Sequence, residues 1–253
     1  MINLKTQNWI IENIDTVLFD KDGTFIDLHY FWGQMTELRA NEIINKFNLS
    51  NDMFKTLCEY LGYDVVSKKM RKDGITALYS RSKIIEIFNE DLKKHNIKTT
   101  YEEIEKIFDI VNEKFYKEMD KYTKPIESCI EFIKQLKTHN IKIGIVTSDS
   151  QDSTQRTIKS FGWEKYFDVV IGRETTQYTK ESGKPTQLAL ELLKSNPQNT
   201  VMIGDAPMDY ISAKNANIEK TILVATGQID VDELQTITPY TVNSMREVVI
   251  CNY

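Results

Sequence analysis

Five short runs in this chain are apolar at nearly every position, and helical patterns separate them. They are TVLFD at 16–20, IKIGIVTS at 141–148, FDVVIG at 167–172, TVMIGD at 200–205 and TILVAT at 221–226. A strand with one wet face alternates apolar and polar residues, whereas a strand apolar throughout has both faces covered. The segments beside the runs can supply that cover. PIESCIEFIKQLKTHN opens on Pro125 and spaces Ile126, Ile130, Ile133 and Leu136 along one helical face. SQDSTQRTIKSFG starts on a serine and stops at Gly162, while KPTQLALELLKSN and PMDYISAKNANI are further amphipathic helices. This alternation predicts an α/β fold: a Rossmann-like doubly wound parallel sheet with right-handed crossovers.

One stretch breaks the alternation. Between the first run and Pro125 the periodicity is helical almost throughout, as in WGQMTELRANEIINKF, GITALYSRSKIIEIFNEDLKKH and YEEIEKIFDIVNEKFYKEM. The prediction is an all-helical insert over 28–120, with Gly33, Gly62 and Gly74 as breaks between helices. Residues 1–27 and 121–253 then form the α/β core.

Composition removes several functional classes. The net charge is −5 and the basic residues are spread along the chain, so no footprint for nucleic acid stands out. No apolar run reaches membrane-spanning length, and MINLKTQNWIIENID lacks the apolar region of a signal peptide. The cysteines at 58, 129 and 251 are odd in number, scattered and without a CxxC pair. They read as reduced thiols of a cytoplasmic protein rather than a disulfide frame or zinc site. His29, His95 and His139 sit in unrelated contexts, which argues against histidine-based catalysis or metal binding. A monomer or homodimer without nucleic-acid or membrane partners is expected.

In an open α/β sheet, ligands bind beyond the carboxyl ends of the strands. The first run ends in Asp20 and Asp22, the second in Thr147 and Ser148, and the fourth in Asp205, with Asp209 one helical turn further on. Lys184 precedes the helix leading into the fourth run. Carboxylates, hydroxyls and a lysine of this kind suit magnesium and phosphate. Strand alternation lets Asp20 and Asp22 share a side, with Lys21 pointing away as an outward-facing residue. Gly23 permits a sharp turn whose amides could face an anion, and Thr24 can brace that turn. Plainer readings exist for each residue singly. Thr147 and Ser148 could cap a helix, Lys184 could be a solvated lysine, and Asp209 could favour the first turn of its helix. A calcium loop fits poorly, because an EF-hand places its glycine at position 6 and a glutamate at 12.

Taken together, the four motifs resemble the haloacid dehalogenase superfamily. DKDGT resembles its first motif, DxDGT; VTS is similar to the second; GKPTQLAL looks like the third-motif lysine; MIGDAPMDYISAKNANI resembles the fourth, GDxxxD. The resemblance implies that Asp20 is the nucleophile forming an aspartyl-phosphate and that Asp22 is the general acid and base. It implies Mg²⁺ held by Asp20, the backbone carbonyl of Asp22 and Asp205, with Asp209 in support. Thr147, Ser148 and the Gly23 turn would bind phosphate, and Lys184 would neutralise it and pair with Asp20.

Asp22 favours phosphoryl transfer over dehalogenation, since the family's dehalogenases lack that acid. A helical cap between the first and second motifs resembles the subgroup of phosphoglycolate phosphatases and β-phosphoglucomutases, in which the cap restricts substrates to small molecules. The implied activity is therefore a Mg²⁺-dependent phosphatase acting on a small phosphorylated metabolite, such as phosphoglycolate or a sugar phosphate. A phosphosugar mutase of the β-phosphoglucomutase type and a catalytically silent binding module are the alternatives. Within the insert, His29, Tyr30 and Trp32 read as aromatic packing or substrate contacts. Arg71 and Arg81 read as solvated residues or as ligands for a second anionic group.

Overall fold

Ile2 and Leu4 turn inward while Asn3 and Lys5 turn outward, and this alternation opens the chain with β1 (Ile2–Lys5). The computed structural model describes residues 1–252. β2 (Ile10–Ile14) pairs antiparallel with β1, and β3 (Thr16–Phe19) follows, buried at every position. The chain then enters a separate unit, Leu28–Lys124. That unit contains α1 (Leu28–Phe47), α2 (Met53–Tyr60), a small hairpin of β4 (Tyr63–Asp64) and β5 (Lys69–Met70), α3 (Ile75–Leu78), α4 (Arg81–Lys94), α5 (Tyr101–Lys117) and α6 (Met119–Tyr122). Thr100 and Glu103 start α5 with a reciprocal capping box. The helices close on aromatic contacts, including Phe31 with Phe115 and Phe88 with Phe108.

Two details of this unit differ from the sequence reading. The β4–β5 hairpin has two residues per strand, too few to register against helical periodicity. Gly33 does not break a helix but lies within α1, where a Cβ would come within 2.6 Å of the Tyr63 ring. It is there for close packing, not for a turn.

The chain returns as the rest of the first unit, Met1–Asp27 with Pro125–Tyr253. It adds α7 (Glu127–Thr138), β6 (Lys142–Val146), α8 (Gln151–Ser160), β7 (Val169–Ile171), α9 (Lys184–Leu193), β8 (Thr200–Gly204), α10 (Pro207–Asn215), β9 (Lys220–Val224), α11 (Val231–Gln235), β10 (Thr241–Val242) and β11 (Val249–Asn252). The main sheet has six parallel strands in the order β10-β9-β8-β3-β6-β7. The predicted doubly wound sheet is present. The sequence reading lacked β10, and also the second sheet, β11-β1-β2, whose members join the two ends of the chain.

Register positions the site. Phe19 of β3 lies level with Ile145 of β6 on one side and Ile203 of β8 on the other. The residues following these strands therefore emerge together at one edge. The winding direction also reverses there: from β3 the chain builds outward through β6 and β7, then crosses back to β8. A crevice at this switch point is where open α/β sheets place ligands.

Candidate active site

β3 ends at Phe19, and Asp20 continues its backbone ladder with an N–H donated to the Ile203 carbonyl. The side chain is buried, and its Oδ1 accepts from Lys180 Nζ at 2.6 Å. The same ammonium lies 2.6 Å from Asp209 Oδ1. Asp209 sits in the first turn of α10, and its Oδ2 accepts from the Asp205 and Ala206 amides at 3.1 Å each. One side chain thus caps the helix, fixes the strand-to-helix turn and completes an ion pair. Asp20, Asp205 and Asp209 each bring a carboxylate oxygen within 4.8 Å of the others.

Burial dominates the electrostatics. It pushes the Asp20 carboxyl up to about 7; Lys180 pulls against the rise, and the Asp209 and Asp22 charges add to it. Burial likewise lifts Asp205 well above the usual carboxylate range, with Asp20 and Asp209 contributing. Burial disfavours the Lys180 ammonium, yet Asp20 and Asp209 hold its pKa above the ordinary lysine value. Three clustered acids against one lysine form a site short of positive charge. Hard oxygen donors at this spacing fit a divalent cation such as Mg²⁺.

The structure corrects the lysine assignment. Lys184 is exposed, and its Nζ donates to Gln187 Oε1 at 3.1 Å rather than to Asp20. Pro185 marks the start of α9 and Lys184 is its first residue, so Lys184 follows the helix rather than the sheet edge. Lys180 lies one short 3₁₀ turn earlier, in the irregular segment after β7, and that segment carries it to Asp20. The two lysines are four residues apart.

Lys21 is also corrected. It is fully buried, 2.6 Å from Asp22 Oδ1 and 3.1 Å from Asp149 Oδ2. The expected outward orientation required the strand to continue through Asp22, but β3 stops at Phe19. Beyond it the Lys21 carbonyl accepts the amides of Thr24, Phe25 and Ile26 in a tight turn. Burial opposes the Lys21 charge, and Asp22 and Asp149 overcome it, raising its pKa.

Gly23 has φ 88°, and its N–H donates to the Ile26 carbonyl, so this amide closes the turn instead of facing an anion. Its other contribution is space, since a Cβ would overlap the Asp205 carboxylate. Thr24 is fully buried; its amide serves the turn and its hydroxyl has no hydrogen-bond partner among the described residues. Thr147 is buried directly after β6, and its hydroxyl accepts the Asp149 amide. Ser148 is exposed, with its hydroxyl 3.4 Å from the Met208 sulfur. Beyond Lys180, sequence reasoning missed Asp149 and the end of the fifth run. There Thr226 donates to the Gly23 carbonyl, and Gly227 lies so close to Asp205 that a Cβ would overlap it. Applying the strand-end rule to TILVAT would have found this pair.

A parallel sheet with buried acids gathered at its switch point is the arrangement of a ligand-binding, Rossmann-like α/β core. The chain belongs to the haloacid dehalogenase-like hydrolases, whose family description matches residues 17–224. A protein of Caldanaerobacter subterraneus subsp. tengcongensis named "Putative pyrophosphatase PpaX" is 33% identical over 208 residues, spanning 81% of this chain and 79% of that protein. "Pyrophosphatase PpaX" of Bacillus mycoides is 26% identical over 212 residues, 84% of each chain. Among solved structures, a "predicted phosphoglycolate phosphatase" from Haemophilus somnus superposes with a TM-score of 0.70 at 14% identity, covering 93% of this chain and 96% of that one. A "putative beta-phosphoglucomutase" from Thermotoga maritima gives 0.67 at 20%, covering 92% and 96%. At such identities the two structures speak for the fold.

Proposed function

We propose that this chain is a Mg²⁺-dependent phosphatase that cleaves a small phosphorylated metabolite through an aspartyl-phosphate on Asp20. One observation carries the proposal. The Asp20 carboxylate is buried at the switch point, clamped by Lys180 and within ligating distance of Asp205 and Asp209. Asp20, the Asp22 backbone carbonyl and Asp205 would hold the ion, with Asp209 in support; when bound, it supplies positive charge to the phosphoryl oxygens.

In the reaction an Asp20 oxygen attacks phosphorus as the bond to the leaving oxygen breaks, and Asp22 gives that oxygen a proton. Asp22 then takes a proton from the water that hydrolyses the aspartyl-phosphate, releasing inorganic phosphate and free Asp20. The Lys21 pairing suits this exchange. Two carboxylates share one ammonium, so a proton on Asp22 leaves the Lys21–Asp149 pair intact. In this reading Lys180 and Thr147 would steady the phosphoryl group, with Ser148 at its margin.

Pyrophosphate is a second candidate substrate, favoured by the name of the relatives at 33% and 26% identity. Its leaving group is phosphate, which departs with less help from an acid than an alkoxide does. Asp22→Asn should therefore slow phosphoenzyme formation more with 2-phosphoglycolate than with pyrophosphate. The unbridged thiols Cys58, Cys129 and Cys251 support a reducing, cytoplasmic setting. Among the described residues no helix is long and apolar enough to cross a membrane.

The test is release of inorganic phosphate from pyrophosphate, 2-phosphoglycolate and sugar phosphates, with and without Mg²⁺. Release that needs Mg²⁺ and disappears in Asp20→Asn is expected. Full turnover by Asp20→Asn would remove it as nucleophile, and no release from any substrate would favour a binding module. Conversion of β-glucose 1-phosphate to glucose 6-phosphate without phosphate loss would indicate a mutase.

A further inference from the structure

Lys21 meets one more carboxylate than its charge requires. Its side chain is fully buried, with Nζ 2.6 Å from Asp22 Oδ1 and 3.1 Å from Asp149 Oδ2. A single carboxylate neutralises a buried ammonium, and each further charge taken out of water adds a desolvation cost. The second acid therefore does something other than balance charge.

Asp149 is held at three points. Its N–H donates to Thr147 Oγ1 at 3.1 Å, its Oδ1 accepts the Ser150 N–H at 2.7 Å, and its carbonyl accepts the Arg173 N–H at 2.8 Å. Ser150 in turn caps α8 by accepting the Ser153 amide. Asp149 thus stands at the rigid junction of β6 and α8, and β6 is the neighbour of the strand that leads into Lys21. The backbone of Lys21 is pinned as well, because its carbonyl accepts the amides of Thr24, Phe25 and Ile26. Lys21 is a strut fixed at both ends, with Asp22 hydrogen-bonded to its tip. The Asp22 side chain keeps 13% of its surface open, as a group that hands a proton to substrate must.

We propose that Asp149 is a positioning residue: by anchoring Lys21 it holds the Asp22 carboxyl in the orientation that delivers a proton to the leaving oxygen. Lys21 engages Oδ1 of Asp22, so the proton to be delivered rides on Oδ2. It passes to the leaving oxygen as that oxygen takes the electron pair of its bond to phosphorus, and Lys21 keeps its own protons. This role rests on the general acid proposed above and names what aims it.

Asp149→Asn isolates the role, because the amide keeps an acceptor for Ser150 and loses the charge that anchors Lys21. Leaving-group release is followed in single turnover, with enzyme in excess and Mg²⁺ present, from benzyl phosphate and from 4-nitrophenyl phosphate. Benzyl alkoxide needs a proton to depart, whereas 4-nitrophenolate hardly does. The ratio of the two rates, nitrophenyl over benzyl, should rise about tenfold or more in Asp149→Asn, the order of loss expected when a general acid is misplaced. Lys21→Met/Asp149→Asn should give no greater ratio than Lys21→Met alone. Both rates falling alike in Asp149→Asn would make Asp149 a structural residue and overturn its role; so would ratios that multiply in the double variant. Wild type inert towards every ester would overturn the phosphatase reading and this role with it, whereas an active wild type with an unchanged ratio overturns the role alone. Crystal structures of wild type and Asp149→Asn supply a readout free of turnover. The Asp22 carboxyl should shift by about 1 Å or more, the displacement that matters to catalysis; an Asp22 that keeps its place overturns the proposal.

Discussion

At Lys180 a single buried ammonium holds two carboxylates, while Lys184, four residues on, touches a glutamine at the surface. Removing a partner from a buried ion pair leaves uncompensated charge and costs about 3–5 kcal/mol. Lys180→Met should lower stability by that order in urea unfolding and abolish phosphate release. Lys184→Ala should cost less than about 0.5 kcal/mol and leave turnover intact, as exposed substitutions do. Equal effects at the two positions would reverse the reading. Gly227 makes a second test, because a Cβ there would overlap the Asp205 carboxylate. Gly227→Ala should fold, by circular dichroism, yet lose most Mg²⁺-dependent phosphate release by displacing Asp205; unchanged activity would show that Asp205 can shift without consequence. Asp20, Asp205 and Asp209 were legible because each ends or follows an apolar run. Lys180 was not, because it lies in irregular chain whose path no periodicity reports; Asp149 follows the second run, but the pairing that brings Lys21 to it is set by a turn that no periodicity reports.

At the scale of elements, the level register of β3, β6 and β8 gathers residues far apart in the chain, and α10 locks one of them in place. Asp209 caps α10 through one oxygen and pairs with Lys180 through the other. Asp209→Asn keeps an acceptor for the amides and loses only the charge; Asp209→Ala loses both. Unfolding in urea should show Asp209→Ala less stable than Asp209→Asn by about 1 kcal/mol, the ordinary worth of an N-terminal cap. Equal losses would mean that the cap contributes nothing. The long elements were readable from the sequence because burial on both faces leaves continuous apolar runs, as in β3, β6 and β8. β10 and the β4–β5 hairpin have two residues per strand and owe their existence to their neighbours.

At the scale of the whole molecule, the clustered acids link stability to pH. The folded-state value of Asp20, about 7, lies above its ordinary 3.8, and Asp205 is raised in the same sense. The native state therefore holds extra protons. The Asp20 contribution is complete below 3.8 and is lost as pH climbs through about 7, so the metal-free protein weakens over that window. A divalent cation would supply the missing charge once the protons leave. Melting temperatures in Mg²⁺ and in EDTA should differ little at pH 5 and increasingly towards pH 8. A gap independent of pH would dissociate the cluster from metal binding.

The sequence by itself determined the α/β class, the winding of the sheet and the acids at its carboxyl edge. These follow from hydrophobic periodicity and strand ends, both written locally in the chain. Only the tertiary structure decided which lysine meets Asp20, and that Lys21 turns inward to Asp22 and Asp149. Lys180 and Asp20 stand 160 residues apart, and Asp149 lies far along the chain from Lys21; no local pattern carries such distances.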